Sequence, residues 1–138
     1  MNLSTLASWI TGLLLGSGTI NLKELGVKEI MEQADVDAII AASQSSPQFI
    51  FKHSTACPVS SAAHRRVSDY LTQHPDQAAA FHLIKVIERR PVSLALASQL
   101  GVVHQSPQII LLHQGAAVWN TSHGNITADS IKQALANL

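Results

Sequence analysis

A single cysteine in 138 residues, Cys57, removes several kinds of protein at once. No disulfide can close within the chain, and no multi-cysteine zinc site can form. Charge is scarce and balanced, with nine basic and nine acidic residues. That balance leaves no basic face of the kind that grips nucleic acid, so no nucleic-acid partner is expected. Long hydrophobic runs are missing too. The most apolar stretch, Leu6 to Leu15, is far short of the ~20 residues a membrane span needs. No Lys or Arg precedes it, whereas a signal peptide begins with a cationic region; the first is Lys23. The expectation is a cytoplasmic protein with no membrane partner. Seven histidines invite a metal reading, but none is paired with a carboxylate at i, i+4, so no metal site is expected.

What is present suits one compact domain. Apolar residues make up 46% of the chain, enough to bury a core without disulfide staples. Gly12, Gly16 and Gly18 mark residues 1–20 as a loose or appended segment. The division expected is an N-terminal segment, 1–25, followed by a domain over 26–138.

Val27, Ile30, Met31, Ala34, Ala38 and Ile39 form a helical stripe over 27–42, broken by Ser45-Ser46-Pro47. Gln48 to Lys52 reads as a short buried strand. Ala62, Ala63, Val67, Tyr70 and Leu71 recur at helical spacing over 59–73, ahead of Pro75. A second strand spans Ala80 to Ile87. Arg90-Pro91 opens another helix, with Pro in its first turn, and Gly101 closes it. A third strand, Gln108 to His113, turns at Gln114-Gly115 into a fourth over Ala117 to Thr121. Thr127 caps a last helix running to about Leu135. Crossover helices imply parallel strands and the hairpin adds an antiparallel pair. The predicted class is α/β and thioredoxin-like: a mixed central sheet of about four strands flanked by helices. That order is fold analogy; function rests on the site.

Cys57 falls between a strand and a helix, with Pro58 next. Unpaired N–H groups and the dipole at a helix start favour an anion, and a thiolate is such an anion. Ser106-Pro107 stands immediately before a strand, where Pro is tolerated. A cis bond there would turn the Ser106 backbone toward the cysteine. Ser60 occupies the place of the second cysteine of a C-x-x-C dithiol. A hydroxyl forms no disulfide, so any redox chemistry needs a thiol from another molecule.

The run Lys52-His53-Ser54-Thr55-Ala56-Cys57-Pro58-Val59-Ser60 resembles the YtxJ-like monothiol bacilliredoxins. Val103-His104-Gln105-Ser106-Pro107-Gln108-Ile109 is similar to the H-x-SPQ segment of that family, and Trp119-Asn120-Thr121-Ser122-His123 to its W-x-TSH segment. The likeness covers roughly Gln48 to Leu135. It implies a thioredoxin fold and a thiol–disulfide oxidoreductase that removes bacillithiol from client proteins. Cys57 would be the catalytic thiolate, with bacillithiol as a co-substrate and no bound cofactor. His53, Ser54, Thr55, Pro58 and Ser60 would form the thiolate and ligand environment, and Ser106, Pro107 and His123 would meet the substrate.

Each residue has a plainer reading beside this one. A lone cysteine is most often buried and inert. His53 either helps hold the thiolate or packs at a strand end. Ser54 and Thr55 either donate to the ligand or shape the turn, and Ser60 either bonds the thiolate or caps the helix. His123 suits a hairpin end. Arg65-Arg66 read as a solvated helix face. Other activities fit a monothiol as well: a glutathione-dependent glutaredoxin-like protein, an iron–sulfur carrier sharing a cluster between two chains, or a binding module without turnover.

Overall fold

The computed structural model describes residues 20–138. The apolar run from Leu6 and the glycines after it lie outside the described residues. Five strands form one sheet: β1 (Lys28–Glu29), β2 (Gln48–His53), β3 (Phe81–Lys85), β4 (Gln108–His113) and β5 (Ala116–Ser122). Their order is β1-β3-β2-β4-β5. The first three are mutually parallel, while β4 and β5 each run antiparallel to the neighbour before them. Four helices flank the sheet: α1 (Gln33–Ala42), α2 (Pro58–Gln73), α3 (Arg90–Leu100) and α4 (Ala128–Ala136).

The two central strands are buried on both faces, which is why they read as unbroken apolar runs rather than alternating ones. Phe49, Phe51, Ile109 and Leu111 point to one side, against Ala63, Val67 and Leu71 of α2 and Ile131 of α4. Ile50, Ile110 and Leu112 point to the other, against Val36 and Ile39 of α1 and Leu96 of α3. Period-two alternation along β2 therefore assigns every side chain to one of two cores.

The first helix is shorter than the stripe over 27–42 predicts. Residues 28 and 29 are a strand, paired with His82 and Leu83, and Ile30 N–H continues the pairing to Leu83 O. The apolar spacing was ambiguous: Val27 and Ile30 are both buried, but in opposite cores. Met31, assigned to the stripe, is 43% exposed. The helix starts where the Asp35 carboxylate accepts the Met31 and Glu32 N–H groups, at 2.8 and 3.1 Å, satisfying donors a helix start leaves free. The sheet thus has five strands, one more than predicted. Leu22, ahead of β1, is also buried in the core.

Other boundaries follow the sequence closely. Gly101 ends α3 with φ +65°. Gln114 and Gly115 both take positive φ, 52° and 81°, as a two-residue hairpin turn requires. Ser43 holds that turn, its carbonyl accepting from Gln114 N–H and its hydroxyl from Gly115 N–H. Thr127 Oγ1 accepts from Ser130 N–H at 3.1 Å, and Ser130 Oγ accepts from Thr127 N–H. Replacing Thr127 by Ala should destabilise the fold by about 1 kcal/mol, read as a lowered urea midpoint with an unchanged slope.

Candidate active site

The parallel strands β2 and β3 end, and β4 begins, at the same end of the sheet. Gln108 lies opposite Lys52 on one side and Ser122 on the other. That register gathers the three sequence segments: the turn after β2 with Cys57, the Ser106-Pro107 step, and His123 after β5.

Cys57 is the N-cap of α2, extended at φ −117° and ψ 123°, with Pro58 as the first helical residue. Pro lacks an N–H, which costs nothing at this position. The Cys57 carbonyl accepts from Ser61 N–H at 3.0 Å. The thiol is free and half-buried, and among the described residues no hydrogen bond reaches its sulfur. Thr55 and Pro58 are exposed beside it.

Ser60 does not face the thiol as a free hydroxyl. It is fully buried, and its Oγ accepts from Ser54 N–H at 2.9 Å. The hydroxyl proton is then available to His53 Nδ1, 2.7 Å away. A neutral ring that accepts it on Nδ1 carries its own proton on Nε2. The electrostatics agree: burial first, then the neighbouring His64, lowers the His53 pKa to about 4. The imidazole is neutral at pH 7. Ser60 thus joins the end of β2 to the first turn of α2, across the loop that carries the cysteine.

His64, on α2, went unnoticed in the sequence. Its ring lies 4.8 Å from that of His53, and the Phe51 ring is 5.8 Å from His53. Burial lowers the His64 pKa as well. The available signal was spacing: position 64 is one helical turn after Ser60, on the same face.

The Ser106-Pro107 bond is cis. Pro107 is buried and Ser106 half-buried, and the Ser106 hydroxyl has no partner among the described residues. The Pro107 carbonyl accepts from His123 N–H at 3.1 Å. His123 itself is exposed, with φ +53°. Arg66 departs from the solvated face predicted for Arg65-Arg66. Its Nε donates to Ile126 O at 2.6 Å and its Nη2 to His123 O at 3.1 Å, so it fastens the turn after β5 to α2. Arg65 is exposed. Position 66 borders the buried stripe of Ala63, Val67 and Tyr70, and that was the missed signal.

Residues 28–131 match the family described as monothiol bacilliredoxin BrxC. Among solved structures, the chain is similar to a thioredoxin-fold protein provisionally named an oxidoreductase. That pair is 26% identical, with 80% of this chain and 94% of that one covered and a TM-score of 0.70. It is also similar to oxidised mitochondrial thioredoxin 3 of Saccharomyces cerevisiae, at 15% identity, 81% and 95% coverage and a TM-score of 0.61. A thioredoxin of Trypanosoma brucei brucei matches at 13% identity, 88% and 94% coverage and a TM-score of 0.63. The fold is thioredoxin-like.

Two outcomes test this geometry. Ser60→Ala removes the partner of the half-buried Ser54 N–H and of buried His53 Nδ1, and should cost about 1–3 kcal/mol in urea unfolding. The second concerns acid. His82, which donates to Gln48 Oε1 at 2.8 Å, is lowered to about 4 by burial and by Lys28, as His53 is lowered to about 4. Unfolded histidines bind protons near pH 6.5. Between those values the unfolded chain holds more protons, so the stability from both groups is complete above pH 6.5 and declines as pH falls toward 4. Urea midpoints at pH 7.5 and 5 should show that decline, and His82→Gln should make it shallower.

Proposed function

The chain belongs to the monothiol bacilliredoxin BrxC family, and from that premise we propose that Cys57 removes bacillithiol from protein mixed disulfides. One observation carries the reading: the chain's sole thiol stands half-buried at the N-cap of an α-helix. The N-cap side chain is the position that normally accepts from the N–H of the second or third helical residue. A thiolate held there meets the positive end of the helix. Neutral His53 contributes no cation; its part is to hold Ser60, and through it the loop.

The exchange balances as two displacements. The Cys57 thiolate attacks the bacillithiol sulfur of the client's mixed disulfide. The client cysteine leaves as a thiolate and takes a proton from water, and Cys57 now carries bacillithiol. With Ser60 in the place of a resolving cysteine, release needs a second molecule. A bacillithiol thiolate attacks the bound bacillithiol sulfur, freeing Cys57 and forming bacillithiol disulfide. Rates depend on the thiolate fraction of the attacker and on the acidity of the leaving thiol. Bacillithiol is a co-substrate in this scheme, and bacillithiolated proteins are the partners. In this scheme Ser54, Thr55 and Pro58 would surround the thiolate and its ligand, and Ser106, Pro107 and His123 would meet the substrate.

Intact mass after mixing with a bacillithiolated client is the test. Wild type should gain one bacillithiol and free the client, and Cys57→Ser should gain none. Equal transfer from a glutathionylated client would replace this assignment with general glutaredoxin chemistry. Absence of transfer from either would overturn the enzymatic reading.

A further inference from the structure

Lys52 is fully buried. It lies on the face of β2 that carries Ile50, opposite the face that carries Phe51 and His53. An inward-pointing ammonium ordinarily has a carboxylate partner, because an unpaired buried charge is costly. Here Nζ donates to His104 Nδ1 at 3.0 Å. Among the described residues the only salt bridge is elsewhere, between Lys85 and Glu29. Burial lowers the Lys52 pKa to about 8, which leaves it mostly charged at pH 7.

The consequence falls on His104. With Nδ1 accepting from the ammonium, its neutral ring carries the proton on Nε2. His104 is exposed, so the imidazole passes the buried positive charge to the surface as a polarised N–H. Burial lowers the His104 pKa, and the positive charges of Lys52 and exposed Arg90 lower it further. Arg90 is the first residue of α3, a helix start with no side-chain cap. Two buried hydroxyls nearby in the chain have no partner among the described residues: Ser93 Oγ in the first turn of α3, and Ser106 Oγ two residues after His104. Positive charge, an outward N–H and an uncapped helix start therefore collect at the end of the sheet that holds Cys57; the Glu88 carboxylate there acts on His53, and among the described residues no salt bridge reaches Lys52 or Arg90.

We propose that Lys52, His104 and Arg90 form a carboxylate-binding subsite that holds the acid group of the small-thiol co-substrate while its sulfur meets Cys57. The proposal rests on the thiol-exchange reading of Cys57 and deepens it, by making a carboxylate the feature that selects the thiol. Lys52 acts through His104, which touches the ligand, and Arg90 adds a second positive charge.

The test compares two thiols: carboxylate-bearing bacillithiol, and bacillithiol with its carboxylates blocked as methyl esters. Each is used to release bacillithiol from Cys57, with the rate followed by mass. Wild type should favour the free acid at least about tenfold, the scale of one charge-assisted hydrogen bond. The ratio of the two rates should fall toward one in Lys52→Met, His104→Ala and Arg90→Gln. Arg90→Gln alters an exposed side chain, so the ratio stays measurable if the buried substitution prevents folding. Equal rates for the two thiols in wild type would overturn the proposal. So would variants that slow both thiols by one factor, since that marks a purely structural clamp. Failure of the exchange reading looks different: no bacillithiol would reach Cys57 at all.

Discussion

The candidate site depends on one buried hydroxyl. Ser60 Oγ accepts from the Ser54 backbone and faces His53 Nδ1, and so joins a strand end to a helix start over the loop between them. With the imidazole neutral, Nδ1 can accept the hydroxyl proton that the Ser54 bond leaves free. Burial keeps His53 neutral, and that burial comes from the same core that packs Phe51 and α2 against the sheet. The position of the cysteine is therefore a consequence of core packing, passed along through one hydroxyl.

A similar logic holds the other two segments. Pro107 and His123 are joined by a backbone hydrogen bond, and Arg66 reaches from α2 to the carbonyls of His123 and Ile126. The helix that presents Cys57 at its start thus grips, from its third turn, the turn after β5. Strand register does the rest, because Gln108 is the common neighbour of Lys52 and Ser122. Gln108 is buried, and its amide donates to Val103 O and Asn120 Oδ1. The chain between α3 and β4 is anchored by that side chain as well as by Lys52 and His104.

The two faces of β2 divide the polar groups at this end. His53 falls on the side of α2 and the thiol, and Lys52 on the side of α1 and α3. Neighbours in sequence become opposite in space, because successive strand side chains alternate. One face holds a neutral imidazole locked into a hydroxyl. The other holds a buried cation whose charge emerges through His104.

Much was legible in the sequence by itself. The lone Cys57 set the chemistry to one thiol per chain. Pro47, Pro58, Pro91, Gly101, Gly115 and Thr127 punctuated the elements, because their effects are local: a fixed φ, a missing donor, a tolerated positive φ, a side-chain cap. Only the tertiary structure decided the rest. The β1 strand exists because β3 offers it a ladder, and no local propensity in residues 27–31 announces that edge. Arg66 looked like a solvated charge until the turn after β5 was folded onto it. Lys52 met its partner His104 only when β4 paired with β2. These contacts join residues 52 to 60 positions apart, and the energy of a long-range hydrogen bond is not written in the residues beside it.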